Sequence, residues 1–135
     1  MRIIDADATR RALQFPDLMD AIAEQFRKGA ELPLRHHHTM AKDGEDDGTI
    51  LIMPAWEKDG FLGIKLATVM PGNMERGLPS VMASYALSSA VTGEPLAMID
   101  GPELTARRTA AASGLAARYL AREDASRLLM VGTGV

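Results

Sequence analysis

Apolar side chains return at every fourth position early in the chain, at Leu18, Ile22, Phe26 and Ala30, with Met19 and Ala23 beside them. This spacing lays one apolar stripe along a helix. Pro16 stands where a first turn accepts proline, and Gly29 stands where a helix stops, so a helix is expected over 16–29. Residues 5–14 predict a shorter helix or turn before it. From Arg35 the period changes to two: Arg35, His37 and Thr39 share one face of an extended segment, and His36, His38 and Met40 share the other.

Further along, 49–53 is apolar at every position, which predicts a strand covered on both faces and ended by Pro54. Lys58-Asp59-Gly60 is a hairpin turn into a second strand over 61–68, whose one charge is Lys65. A loop holds Met70-Pro71-Gly72-Asn73 and Glu75-Arg76-Gly77. A strand follows over 80–89, then a turn over 91–95 and a hairpin partner over 96–99. The alanine-rich run over 104–120 predicts a long helix. Asp100 and Glu103 form a capping signature before it, with Pro102 tolerated in the first turn. Residues 127–131 read as a short apolar strand running into Gly132-Thr133-Gly134.

These elements define an α+β fold: N-terminal helices, a mostly antiparallel mixed sheet, and a long alanine-rich helix. That helix leads into the first strand of an α/β domain of the Rossmann kind, absent from the 135 residues. The expected division is 1–104 as one domain, 105–126 as a connecting helix, and 127–135 as the first strand and glycine turn of the next.

Composition narrows the function without choosing it. A formal net charge of −3 gives no electrostatic reason to expect nucleic acid or an acidic membrane as partner. No apolar run is long enough to cross a bilayer, and the first residues lack the apolar core of a secretory signal. The chain has no cysteine, which removes disulfides and thiolate chemistry and suits the cytoplasm. Nine methionines and few aromatics predict an aliphatic and thioether core.

Candidate chemistry centres on Lys65. An ammonium inside an apolar strand needs a partner or a wet cavity; an edge-strand lysine that snorkels is the plainer alternative. Arg35, also on an extended stretch, favours the functional reading, because a guanidinium fork and an ammonium in one cleft make an anion site. Arg107 and Arg108 point about 100° apart on a helix, so at most one of them faces such a cleft, and both in solvent is an equal alternative. The triple histidine 36–38 is not expected to hold a metal, since consecutive strand residues alternate faces. Gly132-Thr133-Gly134 after an apolar strand is half of a dinucleotide fingerprint, a weak signal alone.

Six motifs occur in order along the chain. They are Met53-Pro54-Ala55, Lys65 followed by Met70-Pro71-Gly72-Asn73, Gly77-Leu78-Pro79-Ser80-Val81, Thr92-Gly93-Glu94-Pro95-Leu96-Ala97, Leu104-Thr105-Ala106-Arg107-Arg108-Thr109-Ala110-Ala111, and Val131-Gly132-Thr133-Gly134. Together they resemble the ornithine cyclodeaminase and mu-crystallin family. The resemblance implies a substrate-binding and dimerisation domain followed by a Rossmann domain, in a homodimer that uses NAD or NADP on small amino or imino acids. It implies that Arg35, Lys65 and Arg108 bind the substrate carboxylate, that Met53 lines the pocket, and that Lys65 also steers protonation at an imine. It leaves Arg107 for solvent or an interface. Ser80, Thr109, Gly132 and Gly134 would face the cofactor. Leu51 stands where ornithine cyclodeaminases proper carry a carboxylate, which favours a simpler amino acid or a cyclic imine over a diamine. Ser89 stands where the family often has an aspartate. The family's catalytic aspartate would lie past Val135, so these residues alone are expected to be inactive. The other expectations left standing are a non-catalytic ligand-binding dimer, as in the mu-crystallin branch, and an inert fragment.

Overall fold

The computed structural model describes residues 1–132; Gly134 lies outside the described residues. Strand β1 (Arg2–Ile4) leads into helix α1 (Ala6–Ala12), which is capped by Asp5, whose carboxylate accepts from the Ala8 amide at 2.8 Å. Helix α2 (Phe15–Lys28) carries the four-residue apolar repeat and ends at Gly29, whose φ of 79° is one that glycine adopts without strain. Next come β2 (His36–Met40), β3 (Gly48–Trp56), β4 (Phe61–Val69), a 3-10 helix (Pro71–Arg76), β5 (Val81–Ser89) and β6 (Pro95–Asp100). Helix α3 (Gly101–Leu120) closes the regular structure.

The six strands form one sheet in the order β1-β6-β5-β4-β3-β2, antiparallel throughout except for the parallel pair β1 and β6. The α+β reading with a mostly antiparallel mixed sheet therefore holds. Register puts Met53, Lys65 and Tyr85 side by side on one face, with Leu51, Ala67 and Ala83 in the next row. The helices cover this face, where Ala67 and Ala97 are buried, and Ala111 and Leu115 of α3 complete the core. Small residues there let the helix approach closely. At Gly101 a Cβ would lie 2.4 Å from the backbone of Ala83, so α3 begins directly against β5.

The opposite face is apolar and open. Ile3, Leu66 and Met82 are exposed on it, and Ile50, Ile52, Ile64 and Met98 are half-buried.

Several expectations needed correction. Strand β1 was not foreseen, because three residues are too few to show a period. Pro54 does not end β3. Strand β2 pairs with β3 only as far as Ile52, so at Pro54 the missing amide faces an unpaired edge. Cover on both faces is not found for 49–53, whose side chains are half-buried with one face open. The loop after Met70 contains the 3-10 helix, which ends at Gly77 with φ 67°. Helix α3 starts at Gly101, earlier than 104, because Asp100 caps it by accepting from the Glu103 amide at 2.8 Å. Residues 127–131 form no strand: no neighbouring strand offers them amides, and Leu128, Leu129, Met130 and Val131 are exposed.

Candidate functional site

Lys65 stands in the middle of β4 on the helix-covered face, directly opposite Met53 on one side and Tyr85 on the other. It lines a cleft of about 290 Å³ together with Ala67, Val81 and Ala83 of the sheet and Pro102 and Thr105 of α3. Burial pushes its ammonium below the ordinary lysine range, and the positive charges of Arg108 and Arg35 push it further in the same direction. Three cations from β4, α3 and the segment before β2 are thus electrically coupled. Among the described residues none of the three has a carboxylate within ion-pair distance. A cluster of this kind is held apart by mutual repulsion and is relieved by an anion.

The two arginines are exposed, and neither belongs to the cleft wall itself. Arg35 immediately precedes β2; continuing the register from His36 and Ile52 places it level with Met53, on the same face as Lys65. Met53, paired directly with Lys65, is half-buried.

Arg107 has a structural task of its own. Its Nε donates to the Leu13 carbonyl at 2.6 Å, its guanidinium lies 4.4 Å above the Phe15 ring, and Nη1 is 3.5 Å from the Glu103 carboxylate. Its side chain is 13% exposed, so it belongs to the joint between α1, α2 and α3, not to solvent. Glu103 also takes two bonds from Arg10, and these pairings hold its carboxyl below the usual range.

On the expected cofactor side the picture is mixed. Ser80 is half-buried just before Val81 of the cleft wall, and its carbonyl accepts from the Met70 amide at 2.7 Å. Thr109 is exposed beside Arg108, with its hydroxyl proton turned to the Thr105 carbonyl at 2.6 Å, so it must rotate to donate to a phosphate. Gly132 has φ 93°, the conformation a tight phosphate-binding turn demands of glycine.

His36 and His38 share one face, with parallel rings 6.3 Å apart, and register sends His37 to the other. Among the described residues no group of three or more histidine, aspartate or glutamate side chains is placed to hold a metal. A larger cavity of about 490 Å³ lies under α2 between Ile22, Phe26, Trp56, Phe61 and Tyr85, and contains none of the cations. Sequence reasoning missed Thr105, which lines the Lys65 cleft and whose hydroxyl is buried without a hydrogen-bond partner. In the sequence it is one more polar position in an alanine-rich helix.

The fold is a mixed, mostly antiparallel six-stranded sheet covered on one face by helices, with Lys65 on the wall of a cleft between the sheet and the start of the long helix. The chain belongs to the ornithine cyclodeaminase/mu-crystallin family, whose model matches residues 3–135. It is 32% identical to Delta(1)-pyrroline-2-carboxylate reductase of Colwellia psychrerythraea over 99% of this chain and 43% of that protein. Among solved structures, an archaeal alanine dehydrogenase dimer with bound NAD superposes with a TM-score of 0.78 at 35% identity, over 93% of this chain and 39% of that one. The Thermococcus litoralis Delta(1)-pyrroline-2-carboxylate reductase in complex with NADH and L-proline gives 0.75 at 35% identity, over 92% and 39%. The chain thus spans well under half the length of the relatives it matches. No helix among the described residues is long and apolar enough to cross a membrane.

Proposed function

We propose that this chain is the substrate-facing part of an NAD(P)-dependent oxidoreductase acting on a small α-amino or cyclic α-imino acid. The observation that carries this reading is Lys65 on the wall of a cleft, within reach of the positive charges of Arg108 and Arg35 and, among the described residues, with no carboxylate at ion-pair distance from any of the three. A substrate carboxylate supplies the missing charge. Arg108 and Arg35 approach it from α3 and from the strand edge, and Lys65 from the floor. Fixing the carboxylate fixes the adjacent α-carbon, which is the orientation that hydride transfer requires. The nicotinamide, when bound, supplies the hydride acceptor or donor. In the oxidative direction the amino acid loses a hydride from its α-carbon and a proton from its nitrogen, giving an imine. In the reverse direction Lys65, whose ammonium gives up its proton more readily than an ordinary lysine, is placed to supply that proton to the imine nitrogen.

Leu51 and Met53 make the neighbouring sheet surface apolar. This favours a substrate with a neutral side chain or ring over a diamine. In this reading 1–104 form the substrate and dimerisation domain, 105–126 the connection, and 127–135 the entry to a dinucleotide-binding domain. Ser80, Thr109, Gly132 and Gly134 face the cofactor, and the protein works in the cytoplasm. The open sheet face pairs with a second copy, which explains why β3 is apolar on both of its faces although one is bare in the single chain.

The test is a panel of L-alanine, L-proline, L-ornithine and Δ1-pyrroline-2-carboxylate with NAD and NADP, on the whole polypeptide that carries this chain. The expected result is turnover of a neutral amino acid or of the cyclic imine, strongly reduced by Lys65→Met and Arg108→Met. Wild-type rates in both variants would overturn the site.

A further inference from the structure

The lysines of this chain are Lys28, Lys42, Lys58 and Lys65, and they have different surroundings. Lys28 pairs with Glu24 at 2.6 Å, and Lys42 with Glu45 at 3.3 Å. Lys58 is exposed in the turn before β4. Lys65 lines a cleft and has no carboxylate at ion-pair distance among the described residues. No hydrogen bond holds its Nζ, yet the atom is not sealed in: the buried, unpartnered side-chain atoms among the described residues are the Thr9 and Thr105 hydroxyls.

An amine in this setting has two uses. As an ammonium it attracts an anion. As a free amine it is a nucleophile, and desolvation beside other cations is what activates a lysine toward carbonyl carbons. Burial and the charges of Arg108 and Arg35 all favour the free amine. The cleft of about 290 Å³ is otherwise mostly aliphatic, with Ala67, Val81, Met82 and Ala83 on the sheet side, and no acid in its wall competes for the nitrogen. A small carbonyl compound with a carboxylate on its carbonyl carbon answers both features. The carboxylate meets the positive charge of the arginines, and the adjoining carbonyl carbon is presented to Nζ.

We propose that Lys65 is also a covalent site, whose Nζ condenses reversibly with a small α-keto acid while Arg108 and Arg35 draw the keto acid's carboxylate. This rests on the reading of the cleft as a carboxylate site and adds a bond to it. The free amine adds to the ketone carbon, and one nitrogen proton passes to the oxygen. The hydroxyl then leaves with the second nitrogen proton as water. A C=N bond replaces a C=O bond, and no oxidant or reductant is consumed. An α-keto acid is what hydrolysis makes of the imine that amino-acid oxidation yields. The adduct is thus formed from the site's own product, and a lysine held in it cannot give a proton to the next substrate.

The test is pyruvate with sodium cyanoborohydride at neutral pH, on the whole polypeptide without added cofactor. The reagent reduces imines and spares ketones, so the adduct becomes Nε-(1-carboxyethyl)lysine, which peptide mass spectrometry locates. Lys65 is expected to label at least about tenfold faster than Lys28, Lys42 and Lys58, and Arg108→Met to slow its labelling about tenfold. Acetone, which lacks the carboxylate, is expected to show no such dependence on Arg108. Labelling of Lys65 no faster than that of Lys58 overturns the proposal, as does equal sensitivity of acetone and pyruvate to Arg108→Met. Calorimetric titration with L-lactate, which has the carboxylate and no carbonyl, separates the two levels. If lactate binds and Arg108→Met weakens it, while Lys65 does not label, the carboxylate site stands and the covalent role falls. If lactate does not bind and Lys65 does not label, both fall.

Discussion

The Nε of Arg107 and the Leu13 carbonyl are 2.6 Å apart, and this bond assigns the neighbouring arginines to different tasks. Arg107 closes the joint where α1 gives way to α2, at a carbonyl left free by the helix ending there. Arg108, one residue on, is exposed, and its charge reaches Lys65. The positional difference is one helical step of about 100°; the consequence is that one cation supports the fold and the other is available to a ligand.

Arg107→Met should therefore act on stability and Arg108→Met on binding. Losing the bond to Leu13 and the pairing with Glu103 is expected to lower stability by about 2 kcal/mol. Arg108→Met should leave the urea midpoint close to wild type while binding of an α-amino or α-imino acid is lost. Equal losses of stability in the two variants would contradict the division.

Lys65→Met carries a pH signature. The folded lysine loses its proton below the ordinary value of 10.5, while the unfolded one keeps it up to that value. Between the two the unfolded state binds more protons, so wild-type stability rises with pH through that window, and at lower pH the full cost of the crowded ammonium is present. Lys65→Met removes that cost. It is expected to be more stable than wild type at pH 7, with the difference shrinking as pH approaches 10.5. Urea unfolding of both proteins across the alkaline range checks the trend; a difference that does not vary with pH would show that Lys65 is not electrostatically stressed.

Gly101→Ala tests how closely α3 is seated. The added methyl would meet the Ala83 backbone at 2.4 Å, which neither element relieves without moving. The expected loss is about 1–3 kcal/mol, accompanied by weaker carboxylate binding because Arg108 rides on the same helix. Asp100→Ala, which removes only the cap on the Glu103 amide, should cost about 1 kcal/mol and leave binding unchanged.

Leu66→Glu places a charge on the open face of the sheet, where Leu66 is 38% exposed. If that face meets a second copy, light scattering should show a dimer for wild type and a monomer for the variant. A variant that remains dimeric would move the interface elsewhere.

Much of this architecture was legible because period and punctuation agree. The fourfold repeat of α2, the Asp-Gly turn before β4 and the capped alanine run of α3 each carry a local signal, and each formed. What was illegible depends on partners distant in sequence. Pro54 reads as a strand end until it is known that β2 has already stopped pairing at Ile52. Residues 127–131 read as a strand because their composition is strand-like, yet a strand exists only where another backbone offers amides. At the site, a charge in an apolar strand marked Lys65, while Thr105 was invisible, since an unused hydroxyl is a property of surroundings and not of residue type.

The parallel pairing of β1 with β6 ties Arg2, Ile3 and Ile4 to Ala97, Met98 and Ile99. Residues 2–4 thus wait for the last strand of the sheet in chain order before they find a place. The hairpins from β3 to β6 are local and can form while synthesis continues, but the sheet is completed only when both ends of the domain are free to meet.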